Sequence, residues 1–202
     1  MAFIKKPLIA VTPENAHQGY AQLIVALAQD DSAGRKAAAQ QLAEHPQSAE
    51  LMGARLATEA QASVRAAILT SLIKMNTPSA AGSLIPHLRS EDVGLRNDVI
   101  SALQQMPDPV ALFLPALLRD DDHDVRIFAL NIISMLRHAQ APLWLLEVIQ
   151  TDPHINVCTT AIDALAEIGT PEMVPAIQAA AQRFDSSYTR FAADLAIRRI
   201  LG

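Results

Sequence analysis

Six histidines, one cysteine and a run of aspartates are the residues whose types could do chemistry in this chain. The histidines are His17, His45, His87, His123, His138 and His154. A zinc or di-iron site would need them paired with each other or with carboxylates at short spacing. There is no His-Glu pair and no His-x-x-x-His, so each histidine is expected to be a lone core or surface residue. The run Asp120-Asp121-Asp122-His123-Asp124 suggests calcium, but it lacks the glycine and distal glutamate of a calcium loop and reads as a helix-capping segment. Cys158 sits in Val157-Cys158-Thr159-Thr160-Ala161 and is expected to fill space. A reactive thiol, lowered in pKa by a nearby helix start, is the alternative. No Gly-rich phosphate loop and no Gly-x-Ser-x-Gly elbow occurs. The expectation is a non-enzyme with no catalytic residue, no metal and no cofactor.

Composition narrows the classes further. The 202 residues are 50% hydrophobic, 4% aromatic and 18% charged. That is apolar enough to bury a core, which excludes intrinsic disorder, and its excess of Ala and Leu favours helices. One cysteine excludes a disulfide framework. A net charge of -5 argues against a nucleic-acid binder. No apolar run is long enough to span a membrane, and Leu8–Val11 is too short for a signal-peptide core, so a cytoplasmic location is expected.

The residue type that does carry a spacing is arginine. Arg35, Arg65, Arg96, Arg126, Cys158 and Arg190 stand 30, 31, 30, 32 and 32 residues apart. Three residues after each stand Ala38, Ile68, Val99, Ala129, Ala161 and Ala193. Seven after stand Leu42, Leu72, Leu103, Ile133, Leu165 and Ile197. One register held six times predicts a repeat in which each anchor opens a helix. Asp31, Asp92 and Asp122, four residues earlier, suit the helix N-terminus. A first helix is predicted before each anchor, as over Ala80–Leu88, Val110–Leu118, Leu143–Ile149 and Glu172–Arg183. Pro86, Pro115 and Pro175 should bend these first helices.

This unit, with Asp92-Val93-Gly94-Leu95-Arg96 and Asp122-His123-Asp124-Val125-Arg126 as its motif, resembles the HEAT repeat family, more narrowly the short HEAT-like repeats of phycobilisome lyases. The resemblance covers roughly residues 16–201 and implies an all-α, right-handed α-α superhelix of about six helix pairs. Residues 1–13 are read as an N-terminal extension or cap and 14–202 as one repeat domain. The pattern departs from the family at Cys158 and in the Ala-rich first unit, where it is expected to be weakest. One HEAT-like enzyme family, deoxyhypusine hydroxylase, carries repeated His-Glu pairs, which this chain lacks.

On a helical wheel the anchor arginine falls inside the apolar arc, so its head needs a partner. Asp31, Asp92 and Asp122, of the same or the adjacent unit, are the expected partners of Arg35, Arg65, Arg96 and Arg126, with Arg190 closing the series. In a HEAT-like stack the second helices line the concave face. Their open arc lies one, five and nine residues after the anchor. A partner groove is expected around Asn97, Ser101, Ile127, Phe128, Asn131, Thr159 and Asp163, continued by Met135 and Glu167. The leading reading is a protein-interaction scaffold that binds a protein partner of unidentified kind through this face or the end caps. The alternatives are a phycobilin-lyase-like chromophore handler and, less favoured, a DNA-glycosylase-like protein. The last would need a basic track where this stripe offers Lys74 against Asp163 and Glu167. Apolar residues Phe3, Ile4, Leu8, Ile9 and Val11 should cap the first unit or pair with another copy. The helix Tyr188–Leu201, with Arg190, Asp194, Arg198 and Arg199, should form a polar outer cap.

Overall fold

The structure is a computed structural model that describes residues 13–29 and 31–202, with side chains described from residue 19 onward. The readings made for residues 1–12 lie outside the described residues.

Aspartates and other short polar residues start the second helices. Asp31, Asp92, Asp122 and Ser186 each accept a backbone N–H of the first turn with a side-chain oxygen. This satisfies donors that the helix itself cannot. The second helices are α2 (Ser32–Leu42), α4 (Ala62–Met75), α6 (Val93–Leu103), α9 (His123–Ser134), α11 (Ile155–Ile168) and α13 (Ser187–Leu201). Asn76, with φ of 47°, closes α4 in the left-handed conformation that asparagine tolerates.

First helices precede each of them: α1 (Pro13–Leu27), α3 (Ala49–Leu56), α5 (Pro78–Leu84), α7 (Pro107–Ala111) with α8 (Leu114–Leu117), α10 (Ala141–Thr151) and α12 (Val174–Arg183). The described residues thus form an all-α superhelix of six helix pairs. Among the described residues there is no strand.

The three internal prolines break or begin helices where a bend was expected. At Pro86 the α-helix gives way to a 3-10 turn, Ile85–Arg89. Before Pro115 the helix stops and restarts as α8. Proline has no N–H, so the carbonyl four residues earlier loses its donor. The chain answers with tighter bonds: Ile85 N–H donates to Gly82 O, and Phe113 N–H to Val110 O at 2.9 Å. Pro175 falls in the first turn of α12, where no bond is lost.

The second helices pack on one another in chain order, α2 on α4, α6, α9, α11 and α13. The first helices form the other layer, with α3 on α5, α5 on α7 and α10 on α12. One apolar core runs between the layers from Leu27 to Ala196. It is built from the periodic positions: Val64, Val125 and Val157 before the anchor, and Ile68, Val99, Ala129, Ala161, Leu72, Leu103, Ile133 and Leu165 after it, all buried. Among the described residues no helix is long and apolar enough to cross a membrane.

Candidate functional site

The anchor side chains repeat a single backbone contact. Arg35, Arg65, Arg96, Arg126 and Cys158 each reach back six residues to a carbonyl just after the preceding first helix. Arg35 Nη1 donates to Gln29 O at 2.8 Å, Arg65 Nε to Glu59 O, Arg96 Nη1 to Ser90 O at 2.6 Å and Arg126 Nη1 to Asp120 O at 2.8 Å. Cys158 makes the same contact with its thiol, 3.2 Å from Asp152 O. A backbone carbonyl just beyond the first helix thereby gains a donor from the helix that follows.

Carboxylates of the next unit hold the other face of the guanidinium. Arg35 is bidentate to Glu59, Nε at 2.8 Å and Nη2 at 3.0 Å. Arg65 meets Asp92 at 2.7 Å, and Arg126 is bidentate to Asp152 at 2.7 and 3.2 Å. Glu59 is held down to about 2, foremost by its hydrogen bonds from Arg35 and further by the Gln61 N–H and Arg55, against the opposing effect of burial. Arg96 differs. Asp120, the carboxylate six residues before the next anchor, is bound by Arg89, and the Arg96 guanidinium lies over the Phe128 ring at 4.9 Å.

Of the ladder expected between anchors and these aspartates, the adjacent-unit pair Arg65–Asp92 is present among the described residues and the others are not. Asp92 and Asp122 cap their own helices and form no ion pair with Arg96 and Arg126 among the described residues. Asp31 likewise spends both oxygens on Ala33 N and Gly34 N. Arg190 is half exposed and 3.5 Å from the fully exposed Asp185. The departures at Cys158 and in the first unit do not leave polar gaps either. Arg35 is the most enclosed of the paired anchors, and Arg183, from α12, donates to Asp152 O beside Cys158.

The open face of the second helices carries a groove of about 640 Å³ between α9 and α11, lined by Asn131, Ser134, Met135, Thr160, Asp163 and Glu167 with Ala164 at its base. Of the seven residues expected at a groove, the structure brings Asn131 and Asp163 together. Asn97 and Ser101 are exposed on α6, one helix away, where Gln104 Nε2 donates to Asn131 O at 2.9 Å. Ile127 and Phe128 are half-buried and packed on the core.

Thr159 is not a groove residue. It is buried, its hydroxyl 3.1 Å from that of Thr189 on α13. On α11 the position one after the anchor tips toward α13 and is covered, so the open arc begins at Thr160, whereas Ala66, Asn97 and Phe191 at the same position are exposed. An ideal wheel cannot show that tilt. Thr160 and Ser134 were therefore missed, although their register offered the signal.

Charge in the groove is one-sided. Glu167 pairs with Arg199 at its margin at 2.8 Å. Asp163 has no hydrogen bond or ion pair among the described residues, and desolvation by its surroundings raises its carboxyl above the ordinary value. On α13, one, two and three turns before the Arg199 that pairs with Glu167, Leu195, Phe191 and Tyr188 are 52%, 65% and 65% exposed. Spaced three and four residues apart, they form an apolar stripe beside Arg190, Asp194, Arg198 and Arg199, which are exposed on the same helix. Met135, 68% exposed, stands on the other side.

The remaining candidates have structural surroundings. His123 and His154 stack at 4.1 Å, His138 stacks on Trp144 at 4.9 Å, and buried His87 has Nε2 2.8 Å from Gly53 O. Cys158 is buried, and burial pushes its thiol up despite Arg183 beside it. The oxygens of Asp120 and Asp122 are engaged by Arg89 and by backbone N–H groups of the same loop.

A family model described as HEAT repeats matches residues 110–198. Among solved structures, the chain is similar to Cex1p, at 16% identity and a TM-score of 0.51 over 93% of this chain and 42% of that one. This likeness is one of fold. The chain thus corresponds to under half of Cex1p. Further similar structures are an engineered protein (21% identity, TM-score 0.42, 90% of this chain and 98% of that one) and the archaeal HEAT-like repeats protein from Thermococcus onnurineus NA1 (16%, 0.43, 91% and 87%). No curated protein matches the chain.

Proposed function

We propose that this chain is a non-enzymatic scaffold that holds a protein partner on the open, concave face of its second-helix layer. The observation that carries this reading is a groove of about 640 Å³ between α9 and α11 with exposed Met135 in its lining, and exposed Phe191 and Leu195 on α13, the next helix of the same layer. Exposed large apolar groups gathered beside one groove are costly in water and are typical of a surface that is covered in use. The groove's two carboxylates, Asp163 and Glu167, disfavour a phosphate backbone, which needs cations. A cytoplasmic setting and a partner that is neither nucleic acid nor membrane fit the same surface.

The test is affinity purification of the full chain from native lysate after mild cross-linking, beside Asn131→Lys, Leu195→Asp and a control, Glu50→Lys, on the exposed side of α3. The reading predicts a stoichiometric protein captured by the natural chain and by Glu50→Lys, and lost from both groove variants. Capture that survives both groove variants would move the site to the ends or the other layer. Capture of nothing would remove the scaffold reading.

A further inference from the structure

The groove's chemistry specifies what it takes, given the scaffold reading above. We infer that the face formed by α9, α11 and α13 docks an amphipathic helix that presents a lysine or arginine midway between two apolar side chains.

The order of side chains across the face sets this pattern. α9 and α13 flank α11, each packed against it. α9 offers exposed Met135, α13 offers Leu195 and Phe191, and α11 between them offers Asp163 and Glu167. The lane therefore reads apolar, acidic, apolar. Neighbouring packed helices lie about 8–10 Å apart. A partner helix crossing them rises about 10.5 Å every seven residues and returns to the same face. Apolar anchors two heptads apart, with the basic residue one heptad from each, therefore match the three rows.

A helix fits better than an extended strand because, among the groove's lining residues, only the Asn131 amide is left to donate to an unpaired backbone. Ser134 Oγ donates to Asn131 O at 2.9 Å, and Thr160 Oγ1 to Asn156 O at 2.8 Å, so both hydroxyl protons are spent within their own helices. A helix brings its backbone already bonded. The cation is called for by Asp163: it has no partner among the described residues, while Glu167 is already tied to Arg199. A like-charged partner would place two anions together in a partly desolvated groove.

The probe is a fluorescein-labelled, alanine-rich helical peptide of about 20 residues, with leucines about 14 residues apart and one lysine midway. A second probe has glutamate in place of that lysine. Fluorescence anisotropy with the full chain should give a dissociation constant of tens of micromolar for the lysine probe and at least about tenfold weaker binding for the glutamate probe. Asp163→Asn, on an exposed site with unchanged melting temperature, should weaken the lysine probe about tenfold and strengthen the glutamate probe, from which it removes a like charge. Glu50→Lys changes net charge by two on the other layer and should alter neither by more than about twofold. Equal binding of the two probes, an unmoved lysine probe in Asp163→Asn, or no binding of either overturns the inference. A native partner lost from Asn131→Lys would still leave the scaffold reading standing.

Discussion

Arg183 occupies the place that the repeat leaves open at Cys158. Its Nη2 lies 2.7 Å from Asp152 O and 2.8 Å from the Cys158 sulfur, and its Nη1 lies 2.6 Å from Gln150 O. At Arg35, Arg65, Arg96 and Arg126 the carbonyl six residues before the anchor is met by the anchor's own guanidinium. Here a cation from the next first helix joins the Cys158 thiol on that carbonyl, so a tie between two units is added to the tie within one.

Arg183→Ala should therefore lower stability by about 1.5–3 kcal/mol, the usual range for hydrogen bonds to a charged group. Cys158→Arg should destabilise as well, since it forces a second guanidinium into a filled, buried position. The pair should be coupled: with Arg183→Ala in place, Cys158→Arg should cost at least about 1 kcal/mol less than it does alone. Chemical denaturation of the four chains measures the cycle, and strict additivity would mean that the two positions do not share a site.

Glu59 should give the chain an acid-sensitive component of stability. Its side chain is almost fully enclosed and is held by Arg35, Arg55 and the Gln61 N–H. Its folded value of about 2 lies below the ordinary 4.5. The depressed value means that the contribution is fully present above about pH 4.5 and is lost as pH falls through about 2. Glu59→Gln should cost about 3 kcal/mol near neutrality by leaving Arg35 poorly compensated. The gap between the two chains in urea midpoint should narrow steadily from pH 5 to pH 2. A gap independent of pH would assign the cost to packing.

The fold was legible because burial repeats. A register of Ile68, Val99, Ala129 and Ala161, with Leu72, Leu103, Ile133 and Leu165, is a one-dimensional trace of a core that recurs every 30 to 32 residues. The arginine partners were less legible. Glu59 and Asp152 stand 24 and 26 residues beyond Arg35 and Arg126, and they come close only once units stack. Nearby Asp31 and Asp122 compete for the same reading but are claimed by helix N-termini. The groove was half legible for a related reason. Wheel positions locate a face on one helix, while its openness depends on the next, which exposes Asp163 and covers Thr159.

Gly53 should tolerate no side chain. A β-carbon there would stand 2.6 Å from Ser83 Cβ and 2.7 Å from Ser83 O, across the α3–α5 contact. Gly53→Ala should cost about 1–3 kcal/mol, since the two helices must separate. Ser83→Gly in the same chain should recover only part of this, because the Ser83 carbonyl remains. Thermal melting of the single and double variants checks the order, and full recovery would locate the clash in the Ser83 side chain alone.

Thr159 separates stacking from docking. Its hydroxyl donates to Ile155 O at 2.9 Å and lies 3.1 Å from the Thr189 hydroxyl, with both side chains buried between α11 and α13. Thr159→Val keeps the shape and leaves Thr189 with one polar neighbour fewer. It should cost about 1 kcal/mol in unfolding. It should not change capture of a partner or binding of the lysine probe, because the residue does not reach the groove. Asp163→Asn should do the reverse, with unchanged melting and weakened binding. If Thr159→Val weakens binding at unchanged stability, the face of α11 that meets the partner is turned by one residue from the one described.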